Sequence, residues 1–470
     1  MADEELKRQA HDFVEANWED IVKDIKDLVA VRSVEDMEHA TEGMPYGPAP
    51  YEALRRGVEI ASRLGLDAHN CDGHIGYADL VGRSERQIAM IAHTDIVPEG
   101  TGWHFDPFKV TRKDGYLIGR GVLDDKGPFV LELYTAKFFA EQVARTGERL
   151  PYTLRCIIGN NEETDMRDVE WYLERYEQPE FLFSPDADFP LICGEKGGFS
   201  ATIRSGKVSD VIVDFDGGTV GNAVAGEATA TVRGDARLLA GTDRIDVEDA
   251  GEGLVRLTAH GIGAHASTPE GSVNAIGLLV DYLLANGLYS DAEKPFLDME
   301  GLVFGSTDGS TLGIAATDDL FDPLTCIGGT IRTRDGVFEQ TIDSRYPTSI
   351  TGEEIARRVG ALCEAHGCTL TVDLDMVPFS TDPDSEGVQA LVGTYNEYTG
   401  RNDRPFTIGG GTYARHFKAG GAFGPNDPSF PMPEWVGAEH SADEGFSEEQ
   451  FKRALEIYIV SVARLMRLSF

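Results

Sequence analysis

Five short stretches hold residue types that bind divalent metals and move protons: His93-Thr94-Asp95, Asp124-Asp125-Lys126-Gly127, Glu162-Glu163, Asp186 and His440. Together they offer two imidazoles, a carboxylate able to bridge, two further carboxylate ligands and a spare glutamate. A carboxylate has two oxygens and about four lone-pair sites, so one aspartate can hold two cations at once. That set suffices to split an amide with water activated by a pair of metal ions. Each stretch alone has an ordinary alternative. His-x-Asp tripeptides are commonly incidental, glycine-flanked aspartates commonly form solvated turns, and paired glutamates commonly open a helix, where negative charge suits the dipole. Asp186 and His440 read alone as surface residues, and Glu439 beside His440 is a rival ligand.

The spacings sharpen the reading. His93 and Asp95, two apart at the end of a strand, project to the same side of the chain. One imidazole can then ligate a metal while the carboxylate two positions on holds its other ring nitrogen. Of Glu162 and Glu163, one can coordinate while the other takes a proton from bound water; neighbouring carboxylates repel unless a dication lies between them. The donors are nitrogen and oxygen with no thiolate, which suits Zn²⁺ best, admits Mn²⁺ or Co²⁺ and disfavours Ca²⁺.

The elements that must position these groups follow α/β grammar. The apolar run Gln87–Ala92 reads as a buried strand ending on His93, and Tyr152–Ile158 as another ending before Asn160-Asn161-Glu162-Glu163. Between them Pro128–Glu141 reads as a helix with proline in its first turn. In open α/β sheets the reactive loops lie at the carboxyl ends of strands, where these candidates fall. An amphipathic helix is expected over Leu6–Val31. After Gly194-Glu-Lys-Gly-Gly198 the chain turns rich in Thr, Val and Gly with alternating patterns, broken by helical stretches at Ser272–Leu284 and Glu353–His366. Helices at Glu386–Glu397 and Glu448–Leu468 then follow. The expected organisation is a discontinuous α/β catalytic domain, residues 1–195 and 385–470, with helices flanking a mixed sheet and an inserted α+β domain over 196–384. No internal repeat is evident.

A chain of 470 residues is long enough for two cores. Its formal charge of −38 argues against nucleic acid or an anionic membrane as partner. Scattered Asp and Glu are otherwise a solvated face, and need not mean a cationic substrate. The start, Met1-Ala-Asp-Glu-Glu-Leu6, lacks the basic-then-apolar order of a secretory signal. No apolar run approaches the ~18 residues of a membrane span. The six cysteines form no CxxC pair, as expected of reduced, buried thiols in a cytoplasmic protein.

Taken in order, His93-Thr-Asp-Ile-Val-Pro98, Gly119-Arg-Gly-Val-Leu-Asp-Asp-Lys-Gly-Pro128, Asn161-Glu-Glu-Thr164, Pro185-Asp-Ala187 and His440 resemble the successive metal motifs of the M20 metallopeptidases, and most closely their PepV-like dipeptidase branch. The resemblance covers nearly the whole chain. It implies a zinc-peptidase-like catalytic domain with an inserted lid. His93 and Asp186 would hold one metal, Glu163 and His440 the other, and Asp124 would bridge; the family's pattern puts the bridge two positions before the Lys, which selects Asp124 over Asp125. Asp95 would orient His93, and Glu162 would be general base and then acid to the leaving amine. The Asp124–Asp125 peptide is often cis in this family. Gly261-Ile-Gly-Ala-His-Ala-Ser267 is similar to the lid motif whose histidine, here His265, stabilises the oxyanion. Asn222 resembles a lid asparagine near the substrate, and Arg345 the arginine that grips the substrate carboxylate through a bidentate fork. Gly409-Gly-Gly-Thr-Tyr-Ala-Arg415 resembles the substrate-contact loop, with Gly411 and Thr412 as contacts; no Lys-Ser/Thr follows, which disfavours a phosphate loop.

The implied function is hydrolysis of unblocked dipeptides by water held between two divalent ions. With Arg345 fixing the carboxylate and the metals fixing the carbonyl, one residue fits on the leaving side, at ~3.3–3.6 Å per residue. A lid segment of 189 residues, 196–384, is long for this family and suits a monomer whose catalysis needs no second chain. The alternatives are an N-acyl amino-acid deacylase or carboxypeptidase of the same family, told apart by their response to acylation, and a non-catalytic metal-dependent binding protein. Glu162 speaks against the last, because a binding module needs ligands but no base.

Overall fold

The computed structural model describes residues 2–207 and 210–470. They form two compact units: Met1–Cys193, Ser380–Phe406 and Gly411–Phe470 make the first, and Gly194–Phe379 with Thr407–Gly410 the second.

In the first unit the mixed sheet runs in the order Asp67–Cys71, Ile75–Leu80, Tyr152–Gly159, Ser84–His93, Phe181–Ser184, Gly420–Ala422. The first two strands are antiparallel neighbours, and the last four run parallel. A parallel strand covered on both faces needs apolar residues at successive positions, and Ile88 through Ala92 are fully buried. Ala89 and Ile91 join Ile157, Leu182, Val169, Tyr172 and Tyr413 in one cluster. The helices Ala2–Val29, Lys126–Thr146 and Glu448–Leu465 pack against one another.

The helix expected over Pro128–Glu141 is longer at both ends. Its proline sits in the first turn, where a missing N–H removes no intrahelical bond. The helix stops only where Gly147, at φ +74°, takes up a left-handed cap. The N-terminal helix also starts before Leu6, with Asp3, Glu4 and Glu5 in its first turn, where their charge favours the dipole.

The second unit is an eight-stranded antiparallel sheet with the helices Ala275–Asn286, Lys294–Val303 and Gly352–Ala365 packed on it. Its core includes Phe199, Phe215, Leu257, Leu279, Phe296 and Phe338. Glu300, on the helix Lys294–Val303, is fully buried there, and neither carboxylate oxygen has a hydrogen-bond partner. Burial pushes its carboxyl well above the usual range. The folded state therefore holds more protons than the unfolded one across the interval between the two pKa values. This group's stabilising contribution is complete below about pH 4.5 and is lost as pH rises through the folded-state value. Replacing Glu300 with methionine, close in volume and without charge, is expected to stabilise the protein by about 1–3 kcal/mol at pH 8 and by less at pH 5. Urea unfolding of both proteins at the two pH values checks this; a difference that does not grow with pH contradicts it.

Candidate metal centre

Three parallel strands of the first unit end on the candidate groups. Ser84–His93 ends on His93 itself, Tyr152–Gly159 leads into the turn carrying Glu162 and Glu163, and Phe181–Ser184 leads through Pro185 to Asp186. Asp124 and Asp125 precede the helix Lys126–Thr146, and the peptide bond between them is cis. His440 sits at φ +60° in a loop closed on itself by hydrogen bonds from Gly437 N–H to Asp443 O (2.8 Å) and from Gly445 N–H to Gly437 O (3.2 Å).

These arms converge. His93 Nε2 lies 3.1 Å from Asp124 Oδ1 and 3.6 Å from Asp186 Oδ2. His440 Nε2 lies 2.8 Å from Asp124 Oδ2 and 3.1 Å from Glu163 Oε2. The two oxygens of Asp124 thus face different imidazoles, with Asp186 accompanying one and Glu163 the other. Ligand atoms of His93, Asp124 and Glu163 lie within 4.8 Å of one another, and so do those of His93, Asp125 and Asp186. Asp125 therefore also lies within ligand reach of His93 and Asp186. Its Oδ2 accepts the His93 backbone N–H at 3.0 Å, and its Oδ1 has no partner. A cavity of about 130 Å³ opens beside Asp124 and Asp186, lined also by Asp188, Asn426 and the rival Glu439.

Asp95 touches the ring of His93 differently from the simplest expectation. His93 Nδ1 meets the Asp95 main-chain carbonyl at 3.1 Å, with Asp95 Oδ1 3.3 Å away and lacking a hydrogen bond of its own. The other oxygen, Oδ2, accepts the backbone N–H of Glu163 at 3.1 Å, so Asp95 ties the His93 strand to the glutamate turn.

The electrostatics describe a site built for added positive charge. Burial pushes the Glu162 and Asp125 carboxyls well above their usual range, with nearby carboxylates adding to the effect. Burial and the charge of Asp124 raise Glu163 to about 7 and also raise Asp186. Asp124 alone is held low: against the cost of burial, hydrogen bonds from His440 and His93 keep it charged. Those with Asp124 and Glu163 raise His440 to about 11. Carboxylates outnumber imidazoles here, and the oxygens Asp95 Oδ1 and Asp125 Oδ1 are buried without partners. Crowded like charges, orphaned oxygens and mixed nitrogen and oxygen donors fit divalent cations.

Several residues that build the site were given no role of their own from the sequence. Asp168 Oδ2 accepts the backbone N–H groups of Asn160 (2.6 Å) and Asn161 (3.0 Å), just before Glu162, and the hydroxyl of Tyr413. Tyr413 comes so close to the strand end that a Cβ on Gly159 would lie 2.4 Å from its oxygen, so only glycine fits there. The Asn161 side chain donates to Glu35 (3.0 Å) and Thr164 (2.6 Å), bracing the glutamate turn. Lys126 is fully buried, donates to Val31 O at 2.7 Å, and is drawn by burial down to about 7. Glu444 is fully buried and gathers three backbone N–H groups of the loop before Asp125. The sequence signal for these was slight: single acids and a tyrosine whose partners lie far along the chain.

The remaining candidates divide between the units. Gly411 is exposed in the first unit, and Thr412 is buried there, its hydroxyl capping the short helix Tyr413–His416. In the second unit, Asn222–Val224 runs against Ala264–Ala266 through Ala266 N–H to Asn222 O (2.9 Å) and Val224 N–H to Ala264 O (2.9 Å). His265 Nδ1 accepts the backbone N–H of Ser267 at 3.2 Å and lies 2.7 Å from its hydroxyl, so the ring proton belongs on Nε2. Arg345 is less free than a waiting fork. Asp343 takes its Nε and one terminal nitrogen at 2.8 and 3.2 Å, and Gly409 O takes the other at 3.3 Å.

Residues 89–464 match peptidase family M20/M25/M40. "Putative dipeptidase YtjP" of Bacillus subtilis (strain 168) is 31% identical over 466 residues, covering 96% of this chain and 98% of that one. Among solved structures, human carnosine dipeptidase 1 aligns with a TM-score of 0.58 at 13% identity, covering 98% of this chain and 99% of its own. Bacillus subtilis YXEP, described as a dinuclear metal binding peptidase of the M20 family, aligns at 0.52 and 10% identity over 96% and 99%. With its α/β unit, its separate antiparallel unit and its convergent metal donors, the chain belongs to peptidase family M20/M25/M40 and is a metallopeptidase, a hydrolase of peptide bonds.

Proposed function

We propose that this metallopeptidase is a two-metal dipeptidase that cleaves unblocked dipeptides, with residues 1–195 and 385–470 as catalytic domain and 196–384 as lid. The observation that carries the reading is Asp124, whose two oxygens face His93 at 3.1 Å and His440 at 2.8 Å. His93 and Asp186 would hold one ion, Glu163 and His440 the other, and Asp124 both. Zn²⁺ suits these donors best, with Mn²⁺ or Co²⁺ admissible. When bound, the ions polarise the scissile carbonyl and lower the pKa of water toward ~7.

The chain's own residues do the rest. Glu162 takes the proton from the attacking water and returns it to the leaving amine. Its raised pKa suits a group that must both accept and donate. Asp95 keeps the His93 ring in register through its carbonyl and links it to Glu163. His265, with its proton on Nε2, donates to the developing oxyanion. Arg345 meets the substrate carboxylate with the N–H groups that Asp343 and Gly409 leave over, preorganised by those partners. Asn222, Gly411 and Thr412 complete the substrate contacts. The dipeptidase name of the Bacillus subtilis relative supports the substrate class. A monomer in the cytoplasm fits the long lid segment and six unpaired, buried cysteines; no helix among the described residues is long and apolar enough to cross a membrane.

In a panel assayed with metal-reconstituted protein, free dipeptides should be cleaved, with tripeptides and N-acetylated dipeptides at least about 100-fold slower, the scale set by leaving a buried polar contact unmet. Faster turnover of the acetylated set would assign the protein to the deacylases instead. Glu162→Ala should retain the full metal complement by elemental analysis while losing about 10²–10⁴-fold in kcat, the usual contribution of a general base. Unchanged turnover removes Glu162 from the mechanism. Asp124→Ala should abolish binding of both ions, whereas Asp186→Ala should weaken one; an Asp124 variant that still holds two ions contradicts the bridge.

A further inference from the structure

We propose that Glu444 is a positioning residue of the metal centre, holding the Asp124 arm and the His440 arm at the spacing that lets them share an ion. This rests on the two-metal reading above. The two arms come from points more than 300 residues apart in the chain. The strand Gly445–Ser447, just after the His440 loop, pairs antiparallel with Tyr116–Ile118, just before the Asp124 loop, but Asp124 and His440 themselves lie in loops beyond that ladder. Glu444 spans them. Four residues after His440, its Oε1 accepts the backbone N–H groups of Gly121 (3.0 Å), Leu123 (3.0 Å) and Asp124 (3.2 Å). Its Oε2 pairs with Arg120, and its own carbonyl accepts the N–H of Gly119 at 2.8 Å. One residue thus engages five of the six residues from Gly119 to Asp124 through their backbone N–H or side chain.

The surroundings exclude a casual contact. Glu444 and Arg120 are both buried, and Arg120 lies over the Trp103 ring, 5.4 Å from its centroid. The next residue back, Asp443, accepts the backbone N–H groups of His104 (2.8 Å) and Phe105 (3.1 Å), anchoring the same loop from its other side. Removing the Glu444 side chain would leave three backbone donors and a guanidinium without an acceptor in a dry place. The Asp124 loop would then be held to the His440 arm only at its base, through the Tyr116–Ile118 ladder, and its tip at Asp124 would be free to shift relative to His440. An ion held by Asp124, Glu163 and His440 would take ligands from both arms, and would be the one to loosen. Outer groups that orient ligands in this way are worth about 10–100-fold in metal affinity.

The test compares wild type, Glu444→Gln and Glu444→Ala, each stripped by a chelator, titrated with Zn²⁺ by calorimetry, and assayed for kcat and KM on a free dipeptide. Wild type should bind two ions. Glu444→Ala should bind the second ion about 10–100-fold more weakly, with a fall in kcat at saturating substrate and little change in KM. Glu444→Gln keeps an oxygen for the three amides but presents its NH₂ to Arg120, so it should fall between the two. Wild-type affinities for both ions in both variants would overturn the proposal. So would a Glu444→Gln protein with no folded circular dichroism signal, which would make Glu444 a determinant of folding alone. If wild type itself binds fewer than two ions, the two-metal reading fails first and this inference falls with it.

Discussion

Gathering carboxylates in a buried pocket is the constraint that shapes this protein. Asp95, Asp124, Asp125, Glu162, Glu163 and Asp186 lie where water cannot solvate them well, and burial heads the causes that raise the Glu162, Asp125, Glu163 and Asp186 carboxyls. Such a cluster persists only if backbone N–H groups, imidazoles and cations offset the repulsion. Asp124 has the most favourable surroundings, with an imidazole on each oxygen, and it is held below its ordinary range. The unequal titration of chemically similar groups therefore follows from position. The carboxylate between two histidines stays charged, and Glu162, to which no histidine is bonded, is driven toward holding a proton.

The fold supplies the offsets through its backbone. Strand ends and turns leave N–H groups without sheet partners, and here the acids take them: Asp125 takes that of His93, Asp95 that of Glu163, Asp168 those of Asn160 and Asn161. Each bond satisfies a donor that would otherwise be stranded and also ties one loop to another. The parallel strands bring His93, the Glu162 turn and Asp186 to one edge because all three loops leave at carboxyl ends. Asp124 and His440 come from loops outside that arrangement, joined by the ladder between Tyr116–Ile118 and Gly445–Ser447 and, beyond it, by the side chains of Glu444 and Asp443.

What could be read beforehand follows the same division. Residues at the ends of apolar strands, such as His93, were legible because hydrophobic runs and polar stops mark strand boundaries directly. The α/β class was legible for the same reason. The bracing residues were not, because nothing local distinguishes them. Asp168 lies in a short helix beside acidic neighbours, and its role appears only when Tyr413, 245 residues away, reaches it. Glu444 sits among polar residues that read as a solvated loop, yet is fully buried. Helix ends were also misplaced where capping, as at Gly147, decides the boundary more than periodicity does. The engagement of Arg345 by Asp343 follows from a two-residue spacing along a strand, which places both on one face.

A long insertion ought to disturb a site whose last ligand, His440, lies beyond it, and the local hydrogen bonding explains why it need not. The chain leaves the first unit after Cys193 and re-enters at Ser380. There Thr381 N–H donates to Cys193 O at 2.8 Å, and Phe406 N–H donates to Leu191 O at 3.0 Å. The two ends of the excursion are thus pinned side by side in the first unit. The entropy of closing a loop rises only about 0.6 kcal/mol per doubling of length, so an insert that carries its own core adds little beyond that closure. The core of the second unit, from Phe199 to Cys368, is such an independent core. With exit and re-entry fixed, the helix Glu448–Leu465 packs on Ala2–Val29 and Lys126–Thr146 as though the chain had not been interrupted, and the His440 loop just before it is delivered to Asp124.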